Sequence, residues 1–381
     1  MALPTYNPRP PRRKRPESLL AASSSPTRAR LMSLFLFICF AIQFLVGRGN
    51  GKPNKGGDSR DLSASSSAAS AATGATSTKI LSIKLASGLE MPLIGYGTCC
   101  RASAKGEAIY KSTGIYLKLG GRHIDTAMSY GNHVEIGRAV KESGIPRSEI
   151  WLTSKVAPGK VKSYDECLAA VDNIMNELDT PYVDLLLIHS PKLGKETTIE
   201  LWNCLIESKR LGKTKSIGVS NFNQGEMETL AEATGQMPEV NEIQQHPWSA
   251  HAWKELAKWQ KDHDIATIAY TSLGGSRFHN SGGATSWPLV VSLLAKKYYV
   301  TEAQILLKWA LQNDLVIIPG SGSEVHIREN LLLNTDFDLS AQEMLSIENA
   351  EVPGGWWDSK RGYQKYTEEE ASLPWTKRKN G

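Results

Sequence analysis

The amino-acid sequence predicts an α/β protein built as a (β/α)8 TIM barrel. Short apolar strands recur along the chain, each ends at a polar residue, and each is followed by a pattern typical of a helix. Successive strand ends lie 23 to 34 residues apart, with one longer interval of 51 residues. Parallel strands with polar groups at their carboxyl ends form the working face of such a barrel. The polar residues are Asp125, Lys155, His189, Asn221, Gln244, Tyr270 and Ser321.

The helices are predicted from the apolar periodicity between these strands. The long interval, between Tyr270 and Ser321, is expected to hold two helices and a loop at 274–287. A hairpin, ILSIKL and LEMPLI around a turn at 86–88, is predicted before the first barrel strand, which ends in GYGT. The predicted helices are 105–119, 134–142, 164–178, 198–211, 225–233, 253–263, 289–298, 302–312, 324–330 and 341–349.

Length and composition predict one large folded unit with extensions at both ends. The chain has 381 residues, of which 41% are hydrophobic, so a single barrel of about 250 residues fits better than two domains. The predicted divisions are a basic, disordered segment at 1–30, a hydrophobic segment at 31–47, a Gly/Ser/Ala linker at 48–78, the barrel at 79–350 and a C-terminal tail at 351–381.

The net charge of +5 does not describe the barrel. Residues 1–78 contain 11 Lys and Arg against 3 Asp and Glu, which leaves 33 against 36 for the rest of the chain. The barrel is therefore nearly neutral, and the sequence predicts no basic face that would bind a nucleic acid.

Residues 31–47, LMSLFLFICFAIQFLVG, carry no charge and lie between Arg30 and Arg48. Their length is at the short limit for a membrane span and is slightly long for the core of a signal peptide. Seven Lys and Arg precede them, which favours an amino terminus in the cytoplasm. A signal anchor and a cleaved signal both stay open, and the absence of an A-x-A site after Val46 favours the anchor. The linker also resembles an organelle transit peptide, so membrane attachment, the secretory pathway or an organelle is expected.

The five cysteines do not predict a disulfide framework. Cys39 falls in the hydrophobic segment, and Cys99 and Cys100 are adjacent, which disfavours an ordinary mutual bridge. Cys167 and Cys204 fall on helix patterns and are expected to be small buried apolar groups. No Cys/His spacing suggests zinc, so no metal is expected.

Several motifs occur together in one order: MPLIGYGT, IDTAMSYGN, LTSK, LLLIHSP, IGVSNF and AYTSLG. They resemble the aldo-keto reductase family in register over roughly 79–349, and the agreement of many motifs makes the resemblance specific. The resemblance implies that the hairpin closes the barrel floor. It also implies that Asp125, Tyr130, Lys155 and His189 form the catalytic tetrad of an NAD(P)H-dependent aldehyde or ketone reductase. Taken singly, each has an ordinary explanation, such as a helix cap for Asp125.

The chemistry of carbonyl reduction explains why these residue types belong together. The reaction adds a hydride to carbon and a proton to oxygen, and a tyrosine with its ordinary pKa near 10 is a poor donor at neutral pH. A neighbouring ammonium lowers that pKa, and a carboxylate holds the ammonium in place. By resemblance, Tyr130 is the general acid, Lys155 and Asp125 tune it, and His189 orients the carbonyl oxygen or assists the proton transfer.

No G-x-G-x-x-G motif opens the barrel, so the cofactor is not expected in a Rossmann crevice. The resemblance implies NADPH as the cofactor, with NADH possible. It implies that Ser220, Asn221 and Glu242 hold the nicotinamide amide, that Tyr270 stacks on the ring, and that Leu273 also contacts the cofactor. Contacts to the adenosine and its phosphate are implied for Ser321, His326, Glu329 and Asn330.

The chain departs from the family pattern at several of these positions. Glu242 stands where a glutamine is usual, and an ionised carboxylate cannot donate a hydrogen bond to the nicotinamide amide oxygen. Gly320 and His326 stand where many members have Lys and Arg, and Cys99 and Ser190 stand at pocket positions that often carry aromatic residues. These changes leave the preference between NADPH and NADH, and the identity of the substrate, open.

The C-terminal tail carries aromatic residues that either wall an apolar substrate pocket or fix the tail to the barrel. They are Trp356, Trp357, Tyr363 and Trp375. The leading hypothesis is a reductase of small-molecule carbonyl compounds. The alternative is a nucleotide-sensing, regulatory binding subunit of a membrane complex with the same fold. The oligomeric state stays open.

Overall fold

The computed structural model describes residues 80–249, 251–274, 287–332 and 337–351. All of them belong to Thr76–Gly381, one of the two compact units of the chain, and none to the other, Met1–Ala75. The predicted hydrophobic segment 31–47, most of the loop 274–287 and the aromatic residues of the tail lie outside the described residues. In the part of the chain that is described, no helix is both long and apolar enough to cross a membrane.

An antiparallel hairpin opens the described chain, as predicted. Its strands are β1, Ser82–Lys84, and β2, Glu90–Pro92. Leu85, which follows β1, and Met91 are buried against side chains at the amino ends of barrel strands, among them Val240. The hairpin therefore closes the barrel at its amino end.

Eight parallel strands form the barrel wall in the order of the sequence. The first and last strands meet where Ile94 forms a parallel bridge with Ile317, and the Gly95 N–H donates to the Ile317 carbonyl oxygen at 2.7 Å. The wall therefore closes into a (β/α)8 barrel. The strands are β3 Tyr96–Gly97, β4 His123–Asp125, β5 Trp151–Val156, β6 Val183–Ile188, β7 Thr214–Ser220, β8 Val240–Gln244, β9 Ala266–Tyr270 and β10 Val316–Ile317.

Helices cover the outside of the wall, so most strand residues are buried on both faces and read as apolar runs. Several helices begin at side-chain caps; Asn223 and Glu226, for example, form a capping box. The observed bounds agree with the predicted ones within three residues at each end. The helices are α1 Gly106–Lys118, α2 His133–Glu142, α3 Tyr164–Leu178, α4 Lys195–Arg210, α5 Gln224–Thr234, α6 His251–Asp262, α7 Leu289–Tyr298, α8 Glu302–Gln312, α9 Glu324–Leu331 and α10 Ala341–Glu348.

A buried aspartate ties the amino ends of three neighbouring strands together. Asp184, near the start of β6, lies 2.8 Å from Arg147 Nη2 and 2.9 Å from Lys215 Nζ at the start of β7. Its Oδ2 also accepts from the backbone N–H of Leu152 in β5, at 3.0 Å. Removing one partner of this cluster would leave a buried charge uncompensated and would therefore destabilise the wall.

The expectation for the cysteines of the barrel is wrong. Cys167 on α3 and Cys204 on α4 form a disulfide with their Cα atoms 6.2 Å apart, where separate buried thiols were expected. Both side chains are fully buried, as the helix periodicity predicts, but periodicity does not indicate which neighbouring helix a residue faces. The sulfur atoms of Cys99 and Cys100 also lie within bonding distance, so adjacency does not keep them apart. Cys100 has a left-handed backbone, with φ 69°.

Candidate active site

The carboxyl ends of β4, β5 and β6 place three of the four predicted catalytic residues side by side. Asp125 ends β4, Lys155 is the penultimate residue of β5, and His189 directly follows β6. The strands pair in parallel register, with Asp125 opposite Thr153 and Lys155 opposite Leu187. The three residues therefore lie at one end of the barrel on adjacent strands.

Lys155 is a fully buried ammonium held by a carboxylate. Its Nζ lies 2.6 Å from each carboxylate oxygen of Asp125 and 3.2 Å from the Thr126 carbonyl oxygen. Burial lowers the pKa of Lys155, but the charges of Asp125 and Glu242 raise it more, so the pKa lies above its ordinary value. Lys155 is therefore a permanent cation in a site that solvent does not screen.

Tyr130 stands over this ammonium. Lys155 Nζ is 5.3 Å from the centroid of the Tyr130 ring, and the His189 ring packs edge-on against Tyr130 with 5.6 Å between centroids. Burial raises the pKa of Tyr130 above its ordinary value, and Lys155 lowers that pKa, as expected, but by less than burial raises it. The side chain is only half-buried as a whole, so the effect belongs to its desolvated hydroxyl end. Tyr130 thus keeps its proton at neutral pH, which is the state of a proton donor.

A tight loop and a buried asparagine hold Tyr130 in place. Gly131 turns the chain with φ +64°, a conformation that strains other residues. Asn132, at the start of α2, donates through Nδ2 to the carbonyl oxygens of Thr98 and Ala104, both at 3.0 Å. The Tyr130 loop is therefore fastened to the segment between β3 and α1. Asn132 is not among the predicted site residues, although an amide just ahead of a predicted helix is a signal that points to such a role.

Glu242 belongs to the same cluster. It is almost fully buried, and its Oε2 lies 3.1 Å from Lys155 Nζ, at ion-pair distance. One ammonium therefore faces two carboxyl groups. Burial and the negative charge of Asp125 raise the pKa of Glu242 from 4.5 to about 8. At neutral pH Glu242 is mainly a carboxylic acid with one donor and one acceptor, the same functions that a glutamine amide offers.

Residues predicted to hold the nicotinamide form a hydrogen-bonded chain. Asn221 Nδ2 donates to Ser220 Oγ at 2.9 Å and to the His189 carbonyl oxygen at 3.1 Å, and the Tyr270 hydroxyl donates to Asn221 Oδ1 at 2.7 Å. Asn221 has a left-handed backbone, with φ 64°, which asparagine tolerates better than most residues. Because Ser220 lies opposite Glu242 in the β7–β8 register, the chain borders the Lys155 cluster.

The other predicted cofactor residues lie after β9 and β10. Leu273 is partly buried, and its carbonyl oxygen accepts from Trp287 Nε1 at 3.2 Å. Ser321 Oγ accepts from the Ser323 N–H at 3.0 Å, and the Ser321 carbonyl oxygen accepts from the Tyr96 hydroxyl at 2.6 Å. The remaining three residues lie on α9 and are His326, Glu329 and Asn330. The His326 side chain is exposed.

Similarity to known proteins agrees with this geometry. Residues 110–351 match the Aldo/keto reductase family. An aldo-keto reductase of Mycobacterium avium is 34% identical over 275 residues, which cover 72% of this chain and 91% of that protein. The crystal structure of an aldo/keto reductase from Brucella melitensis aligns with a TM-score of 0.64 at 34% identity, over 71% of this chain and 98% of that one.

A Bombyx mori aldo-keto reductase, solved in complex with NADP, aligns with a TM-score of 0.64 at 27% identity. That alignment covers 71% of this chain and 92% of the silkworm chain. The family match covers most of the barrel, and the Mycobacterium avium relative is 34% identical. The chain is an oxidoreductase that belongs to the aldo-keto reductase family.

Proposed function

We propose that the protein reduces an aldehyde or ketone to an alcohol with a hydride from NADPH or NADH, and that Tyr130 donates the proton. The observation that carries the proposal is the buried Lys155 ammonium, which Asp125 holds at 2.6 Å and over which the Tyr130 ring lies. A charged group fully removed from water beside a protonated phenol supports acid catalysis at this end of the barrel.

The side chains around Lys155 fit a nicotinamide. Glu242 contributes a buried carboxyl group beside Lys155, and the neighbouring Ser220 and Asn221 add a hydroxyl and an amide. A protonated Glu242 donates one hydrogen bond and accepts another, which matches a carboxamide. When bound, the reduced nicotinamide supplies the hydride.

Proton transfer follows from the arrangement of three side chains. As hydride reaches the carbonyl carbon, negative charge develops on the oxygen, and the Tyr130 O–H gives its proton to that oxygen. The phenolate that remains is stabilised by the Lys155 ammonium, which therefore favours the transition state over the ground state. His189, whose ring packs edge-on against Tyr130, orients the carbonyl oxygen by a hydrogen bond.

The decisive experiment is Tyr130→Phe in protein lacking residues 1–78. Removing only the phenolic oxygen should lower kcat for a generic aldehyde about 10²- to 10⁴-fold, while NADPH still quenches the intrinsic fluorescence. Tyr110→Phe is a matched control, because Tyr110 bonds Glu142 on the surface and should be dispensable for turnover. Near-normal turnover of Tyr130→Phe at several pH values would refute the assignment.

The same assay tests the alternative of a nucleotide-sensing binding subunit. A subunit of that kind binds NADPH without turning over aldehydes at a useful rate. Turnover by the parent that depends on Tyr130 therefore supports the enzyme, whereas tight binding without turnover supports the subunit.

We also propose that residues 31–47 direct the chain to a membrane or the secretory pathway. Support comes from the 17 uncharged residues preceded by seven Lys and Arg, and from the buried Cys167–Cys204 disulfide, since disulfides persist mainly in oxidising compartments. A fluorescent fusion of residues 1–78 should associate with membranes or enter an organelle. A fusion that stays diffuse in the cytosol would contradict the proposal.

A further inference from the structure

Cys99 and Cys100 form a pair of adjacent sulfur groups at the carboxyl end of the barrel. They follow β3, at the end where Asp125 and Lys155 lie, and their sulfur atoms are within bonding distance. Cys100 is exposed and Cys99 is half-buried, so a small molecule in the solvent can reach the pair.

The disulfide between Cys167 and Cys204 differs from this pair in exposure, because both of its cysteines are fully buried. Thiol–disulfide exchange requires a thiolate to reach a sulfur atom, so burial shields a disulfide and exposure opens it to attack. Of the two disulfides in the described residues, one is therefore shielded from exchange and the other is accessible.

Arg101 places a positive charge beside the accessible pair. Its Nη1 donates to the Gly97 carbonyl oxygen at 2.7 Å and lies 3.4 Å from the Cys99 carbonyl oxygen, so the guanidinium folds back along this segment. A guanidinium stays protonated at every accessible pH. Because a nearby cation stabilises a thiolate, Cys99 is favoured as the leaving group when the disulfide is attacked at Cys100.

The backbone at Cys100 is held in an unfavourable conformation. Its φ of 69° lies in the left-handed region, which costs free energy for residues other than glycine. The disulfide constrains Cys100 together with its neighbour. Reduction removes this constraint, so the segment can relax toward a more favourable backbone conformation.

The segment that contains the pair is fastened to the Tyr130 loop at both ends. Asn132, two residues after Tyr130, donates through Nδ2 to the carbonyl oxygens of Thr98 and Ala104, both at 3.0 Å. Thr98 Oγ1 also donates to the Asp125 carbonyl oxygen at 2.8 Å. A relaxed backbone between Thr98 and Ala104 therefore disturbs the contacts that hold the Tyr130 loop.

We propose that Cys99 and Cys100 are a redox-active site that exchanges with low-molecular-weight thiols and disulfides, and that their disulfide form keeps the Tyr130 loop ordered for substrate. The exchange is independent of the proposed function, whereas its effect on turnover rests on that function.

Reduction by a thiol such as glutathione takes two exchange steps. A glutathione thiolate attacks Cys100 Sγ, the protein S–S bond breaks, and Cys99 leaves as a thiolate. A second glutathione thiolate attacks the glutathione sulfur of the mixed disulfide, and Cys100 leaves as a thiolate. One protein disulfide is reduced to two thiols, two glutathione thiols are oxidised to one glutathione disulfide, and the two protons of the glutathione thiols end on the cysteines.

The first measurement is a redox titration of the folded, full-length protein in detergent, in buffers of graded glutathione to glutathione disulfide ratio. Free thiols are blocked with iodoacetamide, and the peptides are analysed by mass spectrometry. We expect Cys99 and Cys100 to change reversibly between disulfide and doubly blocked dithiol, while Cys167 and Cys204 stay oxidised. A pair that stays in one form at every ratio, carries only glutathione adducts, or is reduced only together with Cys167–Cys204 overturns the proposal.

The second measurement is KM and kcat for a generic aldehyde in the same buffers. A relaxed loop must be ordered when substrate binds, so reduction should raise KM about fivefold or more, with a smaller effect on kcat. Cys99→Ser and Cys100→Ser cannot form the disulfide, so both should have the KM of the reduced parent at every ratio. Cys204→Ser is the matched control, which breaks the buried disulfide and should respond like the parent.

The outcomes separate this proposal from the proposed function. Equal KM values for the two forms of the parent, or serine variants at Cys99 and Cys100 that still respond, overturn the role of the disulfide. If the variants fail to fold in a thermal melt, the parent decides, because its two forms are compared without any substitution. Exchange at Cys99–Cys100 without aldehyde turnover at any ratio refutes the proposed function, and the effect on turnover with it, while the redox site stands.

Discussion

Replacing Glu242 with glutamine should stabilise the protein, and increasingly so as the pH rises. The two side chains have nearly the same shape, but glutamine cannot ionise. Glu242 is buried beside Lys155 and near Asp125, which raises its pKa from 4.5 to about 8. The folded protein therefore holds the Glu242 proton up to about pH 8, whereas the unfolded chain releases it near pH 4.5.

The sign and size of the effect follow from this difference. Between about pH 4.5 and 8 folding takes up a proton at Glu242, so rising pH weakens the folded state of the parent and not that of Glu242→Gln. Each unit of pH in this interval corresponds to about 1.4 kcal/mol. The unfolding free energy of the parent can therefore fall by at most on the order of 5 kcal/mol between pH 4.5 and 8. Because the Lys155 ammonium favours the ionised carboxylate and so opposes part of this effect, we expect the measured gain at pH 8 relative to pH 5 to lie below that bound.

The assay is urea unfolding of parent and variant, both lacking residues 1–78, at pH 5, 6, 7 and 8. The difference in unfolding free energy between the two proteins removes contributions from groups that they share. Glu239→Gln is a matched control, since Glu239 is also buried but pairs with Lys209 at the amino end of the barrel, and that variant should lose stability. A difference that is flat from pH 5 to 8, or a less stable Glu242→Gln at pH 8, would refute the reasoning and show that Glu242 is ionised beside Lys155.

Three further outcomes are expected. Deletion of residues 1–78 should leave a folded, active barrel, because the described barrel begins at residue 80. If the shortened protein is inactive under conditions where the full chain works in detergent, the boundary lies elsewhere. The ratio of kcat/KM for NADPH over NADH should fall in His326→Ala, because the change removes a hydrogen-bond donor from a residue expected to contact the adenosine phosphate; an unchanged ratio assigns the phosphate to another group. Asp184→Asn should lower the unfolding free energy by about 3 kcal/mol in urea titrations, because Arg147 and Lys215 lose their counter-charge, and an unchanged midpoint would contradict that role.

The repeating architecture is predictable because each βα unit carries its own signal. A buried strand reads as an apolar run, a polar residue marks its carboxyl end, and the following helix shows its own period. Tyr164–Leu178, for example, has a helix cap at Ser163 and a clear apolar face, and its predicted bounds coincide with those observed. Asp125, Lys155 and His189 could therefore be placed at one end of the barrel before their distances were known.

The remaining features depend on contacts between distant segments. Arg101 reaches a loop 220 residues away, and no local pattern relates an arginine after β3 to a glycine after β10. The partner of Cys167 depends on how α3 packs on α4, and periodicity does not specify this. The pKa of Tyr130 depends on burial, which the spacing of charges along the chain does not reveal.

The Asp184 cluster has a consequence for how this barrel can change over evolutionary time. It fastens β5, β6 and β7 at their amino ends, and the five residue steps from Asp184 to His189 separate it from that histidine by roughly 17 Å. Substitutions at the carboxyl ends can therefore accumulate without loosening this anchor. A lineage that inherits the anchor is free to exchange residues beyond the carboxyl ends of the strands, such as Cys99 and Ser190, while the protein stays folded at every step.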